Sequence, residues 1–331
     1  GNMYYTTNAA GVGLLLRTPT GLVSNVFGGD ALVLCTNLNS DSLTIKGNQG
    51  STIVINNLIM AGGSVANGAS SANANTTNTL AGFINVVAGS RFNPTSAGRA
   101  IVVAAAITNG VSPITNQNPG AVWFLGANSG FTGKMVANTG CTVFITNQFN
   151  LGGNPASFTA DQLLLDNGIL QVTNSISLDD ANRGVTLSAG GGRFDVGSDA
   201  TLTLPNPIVG GGKLTKTSAG TLILSGANSY SNGTVISGGI LNVQNSSGFG
   251  TNGSVTCVSR NGGIQLQGGV NISSDISFIL SNDGTGSAPQ IPYALDNVSG
   301  NNTINGTITL TTGGGGTAIQ SDSGALVLAG V

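Results

Sequence analysis

The sequence predicts an all-β chain wound as a solenoid. Three observations carry that reading: a composition poor in helix formers, apolar residues that alternate in short bursts, and a segment that recurs along the chain. All 12 acidic residues are Asp, Glu and His are absent, and only 10 residues are Lys or Arg. Against these stand 53 Gly and 38 Asn, with abundant Thr, Ser, Val and Ile. β-Branched side chains suit a pleated sheet, while Gly and Asn tolerate the positive φ of tight turns. At 331 residues with 40% apolar content, the length is compatible with one continuous solenoid or with two domains.

The bursts follow one another along the chain. AIVVAAAI at 100–107 reads as a buried strand, and LLLDNGILQV at 163–172, VTLSAGGGRFDV at 185–196, ATLTL at 200–204, GGIQLQ at 262–267 and GTITL at 306–310 each give strands of four or five residues closed by turn residues. Residues 120–136, GAVWFLGANSGFTGKMV, align without a gap with 220–236, GTLILSGANSYSNGTVI, and a third copy, GALVLAGV, begins at Gly324. Period-two alternation puts Leu222 and Leu224 on one face, with Thr221 and Ile223 opposite. Leu222, Val235 and Leu241 mark three bursts that read as the three sides of one triangular coil. If each strand pairs with its equivalent one coil along, about 20 to 25 residues per coil give a β-helix of roughly 13 to 16 coils. Residues 1–331 are thus expected to form a single solenoid segment. Polar stretches near 62–79, 108–120 and 281–292 are expected as loop insertions.

Several functions are disfavoured on the residues alone. A net charge of −2 with so few charged groups offers no basic stripe, so no nucleic-acid partner is expected. The longest apolar run is too short to span a bilayer, so no membrane insertion of this segment is expected. Cys35, Cys141 and Cys257 stand more than 100 residues apart beside strand-like residues and read as small buried hydrophobes. No cofactor or metal motif is present. The best enzymatic candidates are Asp179, Asp180 and Arg183 in SLDDANRG, but neighbours in a strand face opposite ways, and in a turn both carboxylates are merely solvated. Asp195 and Asp199 lack the spacing of a calcium-binding nonapeptide and read as turn or solvent-facing residues. No enzymatic activity is expected. Lys213 and Lys216 read as surface charges that maintain solubility.

Gly212, Leu214, Lys216, Gly220, Thr221, Leu222, Leu224, Gly226, Asn228, Tyr230, Thr234, Gly239 and Leu241 spell G-x-L-x-K-x-x-x-G-T-L-x-L-x-G-x-N-x-Y with a G-x-L ending. The 210–243 segment thereby resembles the autotransporter-associated β-strand repeat of bacterial surface passengers. Ser218 and Asn232 stand where that family carries Gly, and Asn is the commoner visitor to positive φ. The resemblance implies a right-handed parallel β-helix, exported and displayed outside a bacterial cell, and implies no activity. Two functions follow as expectations, an extracellular structural rod that assembles end to end or an adhesin that binds glycans or other cells through loops on one face, with a polysaccharide-degrading enzyme a distant third. Trp123, aligned with Ile223, points away from the core face and is the candidate contact. The end-to-end expectation rests on pattern: GALVLAGV followed by GNMYYTTNAAGVGLLL restores the repeat with one insertion, placing Asn2 and Tyr4 where Asn228 and Tyr230 stand, so the Val331 end would abut the Gly1 end of another unit.

Overall fold

The computed structural model describes residues 3–5, 14–17, 24–27, 30–35, 43–46, 50–68, 76–258, 261–281, 291–311 and 317–330. The chain is all-β, with parallel sheets stacked as a β-solenoid of about 11 turns. Its described helical content is one 3-10 turn, Gln148–Leu151. The turns are fewer than the 13 to 16 expected because coil length varies. Thr234 pairs with Leu214, 20 residues before it, but Leu58 pairs with Leu32 at a spacing of 26 and Ile308 with Phe278 at a spacing of 30. The short repeat coil is the tightest case and underestimates the average.

Two compact units emerge, Gly1–Ala156 with Gln162–Leu164, and Ser157–Asp161 with Leu165–Val331. In the first, the chain alternates between two sheets. One runs Met3–Tyr5, Leu32–Cys35, Ser51–Ala61, Thr77–Ala88, Ala100–Val103, Ala121–Phe124 and Thr142–Ile145, and the other Leu14–Arg17, Leu43–Lys46, Ser64–Gly68, Ser90–Asn93, Ile114–Asn116 and Met135–Asn138. Ile101, Val103, Val122, Phe124, Val143 and Ile145 point inward without solvent contact. Phe92 and Phe124 meet edge to face at 5.7 Å. Such stacked ladders of β-branched and aromatic residues remove a continuous apolar surface from water, the main favourable term in the fold.

Two of the expected insertions contain strands. Ser64–Gly68 pairs with Leu43–Lys46 and with Ser90–Asn93, Thr77–Thr79 opens the strand Thr77–Ala88, and Ile114–Asn116 pairs with Ser90–Phe92 and Met135–Ala137. Polarity did not exclude these stretches from the ladder because buried Asn side chains satisfy themselves on the backbone. Asn67 Nδ2 donates to the carbonyls of Thr76 and Ala100, both at 2.8 Å, and Asn116 Nδ2 to that of Val136 at 3.0 Å. Residues 69–75 and 282–290 lie outside the described residues, as do Gly1, Asn2 and Val331 of the end-to-end expectation.

The second unit builds its coils on three sides. One sheet runs Gly168–Val172, Gly192–Val196, Leu214–Thr217, Thr234–Ile236, Gly253–Cys257, Ile276–Ser281 and Ile308–Thr311. A second runs Ile176–Ser177, Thr201–Leu204, Thr221–Leu224, Gly239–Val243, Gly262–Gln267, Leu295–Ser299 and Ile319–Ser321. The third side carries short strands, Arg183–Leu187 with Ile208–Val209, and later Asn271–Ile272, Asn302–Ile304 and Leu326–Leu328. The triangular reading of the repeat is corrected here. Leu222 pairs with Leu241, so these two occupy the same side in successive coils, and the third side at 225–233 has no strand. Three bursts in twenty residues therefore cover one coil and the start of the next.

Candidate functional site

The residues of the 210–243 pattern converge on the inside of the second unit. Leu214, Leu222, Leu224, Tyr230, Thr234 and Leu241 have no solvent contact, and Thr221 alone of the side chains in the pattern faces partly outward. Lys216, expected at the surface, is 0% exposed. Its Nζ donates to the carbonyls of Thr217 at 2.6 Å, Ser218 at 2.8 Å and Gly238 at 3.1 Å. An ammonium has three donors and no acceptor, so three converging carbonyls match it completely. Burial lowers its pKa from the ordinary 10.5 to about 8, and Asp195 pulls in the opposite direction. Lys213 does remain exposed.

The neighbouring turn needs glycine. Gly239 has φ +69°, and a Cβ there would meet the Gly220 carbonyl at 2.2 Å and Lys216 Nζ at 2.6 Å. Ser218 takes φ +62° without being Gly, whereas at the other departure from the pattern it is Gly233, at φ +75°, and not Asn232 that is left-handed. The Asn232 expectation is thus corrected, and Ser218 holds the strained backbone.

Asn228 is a clip between coils. Its Oδ1 accepts from Ile208 N at 2.8 Å, and its Nδ2 donates to Gly248 O at 2.8 Å. Asn128, its aligned counterpart in the first unit, accepts from Ile107 N at 3.0 Å and donates to Asn150 O at 2.7 Å. Each amide therefore joins the coil before it to the coil after it. Tyr230 OH shares a 2.7 Å hydrogen bond with Thr234 Oγ1 and reaches Gly248 O at 3.4 Å, and burial pushes the phenol's pKa up. Two further clips escaped the sequence pattern. Asn150 Nδ2 donates to Gly126 O at 3.0 Å in the coil before while its Oδ1 accepts from Thr146 N and Asn147 N, and Asn302 Oδ1 accepts from Gly269 N and Val270 N in the coil before. Their only sequence signal is an Asn at the border between a strand and a turn.

The candidate acids form no catalytic pair. Asp179 is exposed, while Asp180 binds Arg183 Nη2 at 2.6 Å and Arg183 itself is 1% exposed. Asn206 Nδ2 donates to the carbonyls of Asp180 and Arg183 at 2.7 and 3.0 Å. SLDDANRG is therefore a turn at 178–182 tied to the strand at Arg183 by a largely buried ion pair, and Asp180 is not simply solvated as expected. Asp199 is an exposed turn residue at φ +60°, and Asp195 Oδ2 accepts from Gln171 Nε2 at 3.4 Å. Among the described residues no group of three or more His, Cys, Asp or Glu side chains could hold a metal ion. Cys141 and Cys257 are buried thiols outside any disulfide, and Cys35 is partly exposed. Burial pushes the Cys141 thiol up to about 12, which leaves it protonated and unreactive.

A different surface stands out on the first unit. The outward positions of three successive strands place Val102, Trp123 and Phe144 in register, and Trp123, 36% exposed, lies 5.5 Å from Phe144 in a tilted arrangement. Beside this ridge runs a groove of about 410 Å³. Its floor is the adjacent outward row Thr77, Ala100, Ala121 and Thr142, and its far wall includes Arg99, Pro119 and Gly140. The wall turns repeat one geometry, with Thr95, Asn118 and Thr139 all left-handed at φ +66°, +72° and +53°. Hydrogen bonds tie them together. Thr95 N donates to Asn93 Oδ1 at 2.9 Å, Asn118 Nδ2 to the same oxygen at 2.6 Å, and Asn118 N to Thr139 Oγ1 at 3.4 Å.

Residues 214–243 match the family described as passenger-associated-transport-repeat. Over 132 residues the chain is 38% identical to the adhesin BmaC autotransporter of Brucella suis biovar 1 (strain 1330), a match that covers 38% of this chain and 4% of that adhesin. No solved structure matches the chain. The repeat that the sequence sets apart and the geometry that uses its residues agree: the chain carries an autotransporter passenger repeat, built into a parallel β-solenoid.

Proposed function

We propose that this chain is a stretch of an exported bacterial passenger whose task is structural, a stiff solenoid that carries binding surfaces at the outside of the cell. The observation that supports this most is the use to which the signature residues are put: Lys216, Asn228, Tyr230 and Thr234 are spent on carbonyls, amides and one another inside the coils, with none presented to a substrate. The resemblance to an adhesin autotransporter supports the same location. End-to-end stacking, Val331 end against Gly1 end, belongs to the same proposal. It predicts mass growth in multiples of one unit on sedimentation. An epitope inserted at the exposed tip Ser129–Gly130 of the full-length protein tests the display directly. Antibody should label intact cells, whereas labelling only after permeabilisation contradicts the proposal.

A second reading, an adhesin that binds through one face, is favoured by one feature. Trp123 stands half-open on a sheet face, a poor use of the chain's sole tryptophan unless something covers it.

A further inference from the structure

We propose that the groove beside Trp123 binds a linear acidic oligosaccharide, with a sugar ring stacked on Trp123 and a carboxylate turned toward Arg99. The inference deepens the adhesin reading and rests on it for its biological meaning. The binding itself can be tested separately.

The shape of the groove selects an extended ligand. The floor crosses four neighbouring strands through Thr77, Ala100, Ala121 and Thr142, and at the usual interstrand spacing that is about 14 Å of length. Small side chains keep the floor low, while Trp123 on one side and the turn at Arg99 on the other rise above it. The shape is fixed in advance: Phe144 braces the indole, and the wall turns are cross-linked through Asn93, Asn118 and Thr139. Preorganisation of this kind lowers the entropic cost of binding a floppy polymer.

The chemistry selects a saccharide over a peptide. An extended peptide gains affinity by adding a strand to an open edge, but Ala100–Val103 and Ala121–Phe124 already have paired neighbours on both sides, so the floor offers no backbone groups to a peptide strand. What it does offer is the face of an indole, the hydroxyls of Thr77 and Thr142, and a guanidinium. An amphipathic ring presents an apolar body to the C–H face of a sugar. Among the described residues Arg99 is the one ionisable side chain lining the groove, and it is a cation. Its Nη1 donates to Thr95 Oγ1, which holds the guanidinium at the wall. A planar fork of donors matches a carboxylate better than it matches a hydroxyl. A uronic acid chain satisfies both features at once.

Because Trp123 is the chain's sole tryptophan, its emission reports on the groove alone. Titration with hyaluronan hexasaccharide, and with the same oligosaccharide converted to its carboxyl methyl esters, decides the matter. A saturable emission change is expected with the acid, at least tenfold weaker with the ester. Arg99→Gln should remove that discrimination, bringing the acid down to the level of the ester. Ala121→Leu, which fills the floor on the solvent side without touching the core, should abolish binding with an unchanged far-UV spectrum, and Trp123→Ala should do the same by calorimetry. Equal binding of acid and ester, full binding in Ala121→Leu, preference for an extended peptide, or no saturable change at millimolar saccharide would each overturn the proposal. If display at the surface holds and the titration is flat, the groove proposal fails alone. If the titration saturates and antibody cannot reach the chain on intact cells, the display reading fails instead.

Discussion

The two units solve the same problem with different outer faces. In the first, the row in register through Trp123 is apolar, with Val102 buried, Phe144 partly exposed and Trp123 open to solvent beside a groove. In the second, the row in register after Ile223 is polar, Asn242, Gln265, Asp296 and Gln320, with Asn242 and Asp296 buried beneath their neighbours and hydrogen-bonded through all but one carboxylate oxygen of Asp296. Asn242 Nδ2 donates to Gln265 Oε1 at 3.1 Å, and Gln265 Nε2 to Tyr293 OH at 2.7 Å. Inside, both units rely on the same asparagine clip, Asn128 in one and Asn228 in the other. The comparison teaches that the repeat pattern specifies the interior, where geometry is common to all coils, and leaves the exterior free to differ. Any recognition by this chain should therefore be sought in residues outside the pattern.

The largest effect that would separate interior from exterior is expected at Lys216. Lys216→Ala leaves three carbonyls without a donor and opens a cavity, and should lower stability by about 3 kcal/mol in chemical unfolding. A loss under about 0.5 kcal/mol would mean that Lys216 is the surface charge its sequence suggested. Next come the clips. Asn228→Ala should cost about 1 to 3 kcal/mol and Asn128→Ala a similar amount, since each strands one backbone N–H and one carbonyl. A large loss at one position and none at the other would break the equivalence of the two units. Ser218→Gly should act in the opposite direction, raising the unfolding free energy by about 1 kcal/mol as left-handed strain is relieved.

A pH effect follows from Lys216. Its folded pKa of about 8 lies below the ordinary 10.5, so between those values the unfolded chain binds the extra proton. Stability then rises with pH across that window, with the full penalty of burying the charge present below pH 8. Lys216→Met should flatten the slope between pH 8 and 10.5, and an unchanged slope would assign it to other groups. The smallest effect is expected at Trp123→Ala, within about 0.5 kcal/mol of the parent, because an outward side chain on a sheet face leaves no cavity.

Much of this was legible in the residues. Period-two bursts and the Gly- and Asn-rich turns pointed to the parallel solenoid, and the gapless alignment of 120–136 with 220–236 set Asn128 opposite Asn228, whose common role the contacts between coils supply. Alternation alone placed Trp123 outward. What stayed hidden depended on contacts across coils. Lys216 reads as a solvated charge until Gly238, 22 residues on, brings a third carbonyl to it. Asp180 reads as a solvated turn carboxylate until the buried Arg183 pairs with it. The groove has no linear signature, because its floor is assembled from single residues 21 to 23 positions apart. Coil number was overestimated for a related reason: the most recognisable coil is also the shortest.

Thermal unfolding of Asn228→Ala beside Trp123→Ala, followed by far-UV circular dichroism on the same chain, tests most directly the claim that pattern residues hold the solenoid together and the outward face is free for recognition. The account predicts a clearly lowered midpoint for Asn228→Ala and an unmoved one for Trp123→Ala, both with a strand spectrum at the start. An unmoved midpoint for Asn228→Ala, or a collapse of Trp123→Ala, would contradict it.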